Sequence, residues 1–101
     1  MTSIKFDNTF DAITSNPDEA SELQTRADLM SVIRDIVEDN YWKQAEAAKK
    51  VGLTQPRVSN LLNGKIDKFS IDLLMTCLFR LRYRFKPCYK DKQLTIEVSA
   101  A

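Results

Sequence analysis

One stretch of the chain is rich in side chains that can hydrogen-bond the edges of DNA bases. Its 22 residues run from Gln44 to Lys65 and read QAEAAKKVGLTQPRVSNLLNGK. Asn and Gln side chains pair with adenine, Arg pairs with guanine, and Ser bonds to either base. The stretch is therefore a candidate base-reading surface.

The residue types that most catalytic and metal sites need are scarce. The sequence contains no His, and its two thiols are Cys77 and Cys88. Without an imidazole the commonest general base and the Ser/His and Cys/His nucleophile pairs are absent. Two thiols cannot complete a four-ligand Cys/His zinc site, and two isolated glycines cannot build a phosphate-cradling loop. We therefore predict no enzymatic activity, no cofactor and no metal.

The length and composition are typical of one small globular domain. The 101 residues are 44% hydrophobic and 29% charged, which is enough apolar material for one modest core. No apolar run approaches the roughly 20 residues that span a bilayer. The N-terminal residues do not resemble a secretory signal. These features predict a cytoplasmic protein without membrane contact.

The net charge of +1 hides a strong asymmetry. Residues 1–40 contain nine acidic and three basic side chains, whereas residues 41–101 contain five acidic and twelve basic ones. The basic part could meet a polyanion, and the acidic part could meet a basic protein. Two solvated faces that happen to segregate would give the same pattern.

Caps and hydrophobic spacing predict four helices. Asn16 and Pro17 begin a helix over about 17–39, with a break near 21–25 as an alternative. The other helices are expected over about Lys43–Val51, over about 54–63 after a Thr54 cap, and over about 71–81 after a Ser70 cap.

A strand pattern follows the last predicted helix. Tyr83 and Phe85 alternate with basic residues, and a turn at 90–93 leads to a second strand at Leu94–Val98. The basic row consists of Arg80, Arg82, Arg84 and Lys86. It could bind DNA or an acidic partner, but we favour protection of an exposed strand edge. We divide the chain into an arm (1–16), a DNA-binding domain (17–81) and a strand segment with a tail (82–101).

Two short helices joined at Gly52 describe a helix-turn-helix. Ala48 is small where the second helix crosses the first, and the start of the second helix meets the bases in this motif. We therefore predict DNA contacts from Gln44, Thr54, Gln55, Pro56, Arg57, Ser59, Asn60 and Lys65. For Gln55 and Arg57 we favour base reading over plain solvation, and for Asn60 these two interpretations are balanced. For Ser59, base reading is balanced against contact with a phosphate. Lys65 is expected to touch phosphate.

Aromatic and sulfur side chains outside this stretch are interpreted as core first. Leu29, Tyr41, Trp42 and Cys77 are predicted to pack inside the domain.

The 22-residue stretch resembles the helix-turn-helix of lambdoid phage repressors, the Xre class. With its surroundings it is similar to HigA-type antitoxins in the segments FDNTFD (6–11), LQTRADLM (23–30), QAEAA (44–48), TQPRVSNLLNGK (54–65) and FSIDLL (69–74). The resemblance implies a lambda-repressor-like all-α domain of about five helices with a small C-terminal strand or hairpin. It also implies a homodimer that binds a palindromic operator and represses its own operon. Many members neutralise a small basic toxin of the RelE/ParE type.

The resemblance extends to a pair of glutamines and fails at two positions. In similar repressors the residue at the place of Gln44 touches phosphate and braces the one at the place of Gln55, which reads adenine. The family's capping Thr is replaced by Lys43 here, and its Gly after the last helix is replaced by Arg82. The second change puts the expected helix-to-strand junction in question.

Two functions are therefore carried forward. The first is an antitoxin that binds operator DNA and a toxin, and the second is a stand-alone repressor without a toxin partner. Phe6 and Phe10 are candidate toxin anchors in the first, although folding back onto the domain's own core explains them equally well.

Overall fold

Four α-helices followed by a β-hairpin make up the fold in a computed structural model that describes residues 2–3 and 16–100. The helices are α1 (Pro17–Asp39), α2 (Gln44–Val51), α3 (Gln55–Leu62) and α4 (Ile71–Arg80). The strands are β1 (Thr2–Ser3), β2 (Tyr83–Lys90) and β3 (Gln93–Ala100).

The expectation of about five helices is wrong by one within the described residues. Residues 66–68 form only a short 3₁₀ turn between α3 and α4. The alternative break near 21–25 does not occur, because the Thr25 hydroxyl donates to the Ser21 carbonyl at 2.9 Å within a continuous α1. Arg26 also pairs with Glu22 one turn away on the same helix.

Local capping sets where the helices begin. The Asn16 side chain accepts hydrogen bonds from the backbone N–H groups of Asp18 (2.9 Å) and Glu19 (3.3 Å) at the start of α1. Ser70 Oγ accepts from Leu73 N at 3.1 Å and caps α4. Each cap satisfies backbone donors that a helix start leaves without an intrahelical partner. The predicted helix starts are confirmed.

All four helices contribute to one hydrophobic core. Its buried members are Met30, Ile33 and Val37 of α1, Ala47, Ala48 and Val51 of α2, Val58 and Leu61 of α3, Leu74, Cys77 and Leu78 of α4, and Phe69. Cys77 is fully buried, as predicted, and Leu29 and Trp42 pack against the core from its margin.

The prediction for Tyr41 is wrong. Its side chain is 92% exposed, because its backbone adopts φ +56° just after α1 and turns the ring outward.

The hairpin forms a three-stranded antiparallel sheet in the order β1-β3-β2. Arg82 joins α4 to β2 with φ +73°, the conformation that the family's glycine would adopt. The turn between β2 and β3 places Asp91 and Lys92 at φ +53° and +62°, as two-residue hairpin turns require. The hairpin forms despite the missing glycine and is longer than expected.

None of the helices in these described ranges is long and apolar enough to cross a bilayer.

Candidate nucleic-acid interface

A tight turn fixes the angle between α2 and α3. Gly52 ends α2 in the left-handed conformation with φ +72°. The backbone N–H groups of Gly52 and Leu53 both donate to the Ala48 carbonyl, at 2.9 and 3.0 Å. This arrangement satisfies the end of α2 and redirects the chain within three residues.

The side chain of Arg80 secures the same turn from α4. Its Nη1 donates to the carbonyls of Val51 at 3.0 Å and Gly52 at 3.3 Å. A cation at the carboxyl end of a helix also complements the helix dipole. The sequence pattern predicted Arg80 only as part of a basic surface row, because no local pattern connects residues 29 positions apart.

Small and branched apolar residues hold α2 and α3 together. Ala47 and Ala48 of α2 are almost completely buried, as are Val58 and Leu61 of α3. Ala48 lets the two helices approach closely, as its place in the motif predicted. The polar side chains of α3 are left outside this contact.

The start of α3 is exposed and capped. Thr54 Oγ1 accepts a hydrogen bond from Arg57 N at 3.4 Å, and Gln55, Pro56 and Arg57 are exposed. At 3.6 residues per turn, Pro56 and Asn60 lie on the side of α3 opposite the buried Val58. Among the predicted base readers, Gln55 and Arg57 are exposed at the start of α3, whereas Ser59 and Asn60 further along it are half-buried.

Ser59 and Asn63 form a polar pair one turn apart on α3. Asn63 Nδ2 donates to Ser59 Oγ at 3.4 Å, and the Asn63 backbone N–H donates to the Ser59 carbonyl at 3.0 Å. Asn63 is also exposed. The predicted set of DNA contacts did not include Asn63, although its i+4 spacing from Ser59 was visible in the sequence.

Arg57 already has partners within the protein. Its Nη2 donates to the Lys68 carbonyl at 3.3 Å, and its guanidinium carbon lies 5.3 Å from the centre of the Phe69 ring. Five N–H groups surround a guanidinium, so this one bond leaves other donors for an external acceptor. Packing on Phe69 orients the group before any ligand arrives.

Gln44 is the first residue of α2, just as Gln55 is the first residue of α3. Both side chains are exposed. Lys43 precedes α2 without making a side-chain cap, as the missing Thr predicted. Lys50 Nζ lies 5.5 Å from the Trp42 ring centre. The Trp42 ring therefore contacts α2 through the Lys50 side chain.

Comparison with known proteins identifies the family. A family described as a helix-turn-helix domain matches residues 14–85. A solved structure of an XRE family transcriptional regulator is 34% identical, covers 73% of this chain and 83% of its own, and superposes with a TM-score of 0.67. The chain belongs to the XRE family of helix-turn-helix transcriptional regulators. No match is found among curated proteins.

A basic concavity of about 610 Å³ adjoins the turn of this XRE-family regulator. Its lining residues are Lys49, Lys50, Gly52, Thr76, Phe79, Arg80 and Arg82. Four of the seven are cationic and none is acidic, so the surface attracts anions. Lys65 and Lys68 add exposed positive charge beyond α3.

The buried thiol beneath the regulator's surface is kept neutral. Burial raises the pKa of Cys77, and the nearby guanidinium groups of Arg80 and Arg57 offset only part of that effect. A neutral thiol is a poor nucleophile, so Cys77 serves the core.

The predicted DNA-contact residues from Gln44 to Lys65 all lie on α2, on α3 or beside their ends. Phe6 and Phe10, the candidate toxin anchors, lie outside the described residues.

Proposed function

We propose that this XRE-family regulator binds operator DNA as a homodimer and reads bases with the start of α3. The observation that supports this most directly is the exposed Gln55-Pro56-Arg57 end of α3 on a turn secured by Arg80. A rigid element is needed because base reading requires side chains to be held in register with the major groove.

In this proposal each polar side chain has a role set by its chemistry. Gln55 reads adenine, Arg57 reads guanine, and Ser59 and Asn60 reach base edges further along the groove. Gln44 and Lys65 contact phosphates, and Thr54 and Pro56 shape the start of α3. The positive ends of the α2 and α3 dipoles, at Gln44 and Gln55, favour nearby phosphates.

A dimer would present two copies of α3 to successive major grooves. Two half-sites of a palindrome then lie about one helical turn, or roughly 34 Å, apart. Residues 17–81 would form the DNA-binding unit, and the arm (1–16) and the strand segment (82–101) would serve protein contacts. The regulator would act in the cytoplasm, where its DNA is accessible.

Gln55→Ala tests the base-reading proposal. On DNA taken from upstream of the regulator's own gene, we expect about a tenfold or greater loss of affinity, since a good base contact contributes about 1–3 kcal/mol. Gln93→Ala is the matched control, because Gln93 is an exposed glutamine on the hairpin. Equal affinities of the two variants for this DNA would contradict the proposal.

We further propose that the regulator is the antitoxin of a type II toxin–antitoxin pair and neutralises a small basic RelE/ParE-like toxin. The specific observation in favour is an acidic surface on α1, where Asp18, Glu19, Glu22, Asp28, Asp35, Glu38 and Asp39 are all exposed. The segments similar to HigA-type antitoxins support the same assignment. A stand-alone repressor without a toxin partner is the alternative.

Purification of the tagged regulator from its native host separates the two functions. A stoichiometric small basic protein, identified by mass spectrometry, would support the antitoxin. Replacing Asp28, Asp35 and Glu38 by Lys should release that partner, whereas replacing the polar hairpin residues Gln93 and Ser99 by Lys should not. If only DNA accompanies the chain, it is a stand-alone repressor.

A further inference from the structure

The β2–β3 hairpin has one entirely uncharged and mostly apolar face. Directly paired residues of antiparallel strands point to the same side of the sheet. The register places four such pairs on one face: Tyr83 with Ala100, Phe85 with Val98, Pro87 with Ile96, and Tyr89 with Leu94. We call these eight residues the apolar hairpin face.

Only the near end of the apolar hairpin face is covered by the helices. Tyr83 and Phe85 pack against the hydrophobic core, and the Phe85 ring meets the Phe79 ring edge-on with centroids 6.2 Å apart. At the far end, by contrast, Tyr89 is 73% exposed, Val98 47% and Leu94 44%. The hairpin therefore extends past the domain with large apolar side chains uncovered.

The opposite face of the hairpin is mainly polar and carries three cationic side chains and one carboxylate. Its pairs are Arg84 with Ser99, Lys86 with Glu97, Cys88 with Thr95, and Lys90 with Gln93. The middle of this face is covered, because Thr95 is buried and Cys88 is half-buried, whereas its charged side chains are exposed. A clustered apolar patch on a small protein marks an interaction site more often than a lone exposed side chain does.

We infer that a second copy of this chain covers the apolar hairpin face, so that the two hairpins pack face to face across a two-fold axis. This inference rests on the proposed homodimer and names its interface. A two-fold contact brings the same patch of both copies together. The patch suits this because it contains no charged residue, and two copies meet there without like-charge repulsion.

Charge disfavours the other way of joining two hairpins. The sheet has two edges, β2 and the two-residue β1. Antiparallel pairing of two β2 edges would bring the cationic Arg84, Lys86 and Lys90 of one copy close to those of the other. Pro87 also lacks a backbone N–H group, which removes one hydrogen bond from each side of such a ladder. Packing of the faces keeps these cations on the outside.

Charge also distinguishes a second copy from a basic toxin at this surface. The apolar hairpin face offers no carboxylate to a basic partner, whereas α1 offers many. A basic toxin therefore has a better site on α1 than on the apolar hairpin face.

The face is small, and this sets the expected affinity. Two strands of eight residues are about 27 Å long and about 10 Å wide together, which is less than the roughly 800 Å² per partner of a stable complex. We expect a dissociation constant between about 10 µM and 1 mM for the free protein. Operator DNA strengthens the contact because it holds both copies at high effective concentration.

Charge insertion on either face of the hairpin tests the inference. Leu94→Lys combined with Val98→Lys alters the apolar hairpin face, and Gln93→Lys combined with Ser99→Lys is the control on the polar face of the same strand. Both variants gain the same charge. Sedimentation equilibrium should show at least a tenfold weaker dimer for the first variant than for the control, while circular dichroism melts report whether each still folds.

The inference would be overturned by a wild-type protein that stays monomeric up to about 1 mM, by equal dimer affinity for both variants, or by a greater loss in the control. A toxin released by the Leu94 and Val98 changes while self-association persists would assign the face to the toxin and overturn it too.

Binding to a single half-site separates this inference from the proposed function. Both variants leave α2 and α3 intact, so each should bind one half-site as the wild type does. If the wild-type protein does not bind a single half-site, the proposed operator reading is refuted, whatever the state of the dimer. Retained half-site binding with an unchanged dimer would refute only the hairpin interface.

Discussion

The guanidinium of Arg80 occupies the space next to Gly52 that any side chain would need. A Cβ atom built on Gly52 would lie 2.5 Å from Nη1 of Arg80, while that same Nη1 donates to the Gly52 carbonyl. Gly52 is therefore favoured by its positive φ, and a side chain there would also have to displace the Arg80 guanidinium. The turn that orients α3 and the end of α4 form one unit.

Gly52→Ala should destabilise the regulator more than Gly64→Ala. Both glycines have φ +72°, but nothing lies within 4 Å of a Cβ at Gly64. The strained backbone costs about 1 kcal/mol at either site, and displacing Arg80 adds about 1 kcal/mol or more at Gly52. Urea unfolding measures both changes, and equal losses would show that Arg80 moves aside freely.

Arg80→Ala should lower the free energy of unfolding by about 1–2 kcal/mol, because it leaves two carbonyls at the end of α2 without their charged donor. Arg84→Ala is the matched control, since Arg84 is exposed on the polar face of the hairpin. In an Arg80→Ala background the extra cost of Gly52→Ala should disappear. A persistent excess would place the clash elsewhere.

Features that depend on a few neighbouring residues were predictable from the sequence. The caps at Asn16, Thr54 and Ser70 act over two or three positions, so the helix starts could be read directly. The alternation in β2 likewise gave the correct inward residues, Tyr83 and Phe85.

Features that depend on distant residues or on backbone conformation were not predictable. The contact from Arg80 to Val51 joins two helices far apart in the chain. Tyr41 is apolar enough for the core, and only its positive φ directs it into solvent. Arg82 takes up a glycine-like conformation because the hairpin must return its apolar face to the helices, a requirement set by tertiary packing. The Arg57 contact with Phe69 is likewise tertiary.

Gln44→Ala should weaken operator binding by about three- to tenfold, since one phosphate hydrogen bond and the support of Gln55 are lost. The part of the loss that comes from the phosphate contact should persist on a mismatched operator, whereas the loss from Gln55→Ala should largely disappear there. Fluorescence anisotropy with both DNAs measures this. An unchanged affinity would remove Gln44 from the interface, and Gln24→Ala on α1 provides the control.

Operator affinity should fall steeply with salt. If each protomer neutralises about three phosphates, the plot of log affinity against log salt concentration has a slope near −5. Lys65→Ala should reduce the slope by about one for each protomer, and Lys90→Ala, at the end of β2, should not. A flat response would contradict DNA binding through the basic surface.

Alkylation should distinguish the two thiols of the folded regulator. Cys77 is completely buried and Cys88 is half-buried, so iodoacetamide should label Cys88 first at neutral pH. Burial raises the pKa of the Cys77 thiol in the folded protein. The stabilisation from this neutral, buried thiol is therefore complete at pH values below the pKa of Cys77 in the unfolded chain. It is lost as the pH rises through the pKa of Cys77 in the folded protein. Peptide mass spectrometry gives the labelling order. Rapid native labelling of Cys77 would mean that the core opens readily.

During translation, which proceeds from the N-terminus, every proposed base-reading residue is added to the chain before Arg80. A nascent or prematurely terminated chain that ends after α3 would carry Gln44, Gln55 and Arg57 without the clamp on Val51 and Gly52. Such a chain would also lack the apolar residues that α4 adds to the core. We therefore expect truncated translation products to compete poorly for the operator, so that occupancy of the DNA reports the supply of completed chains.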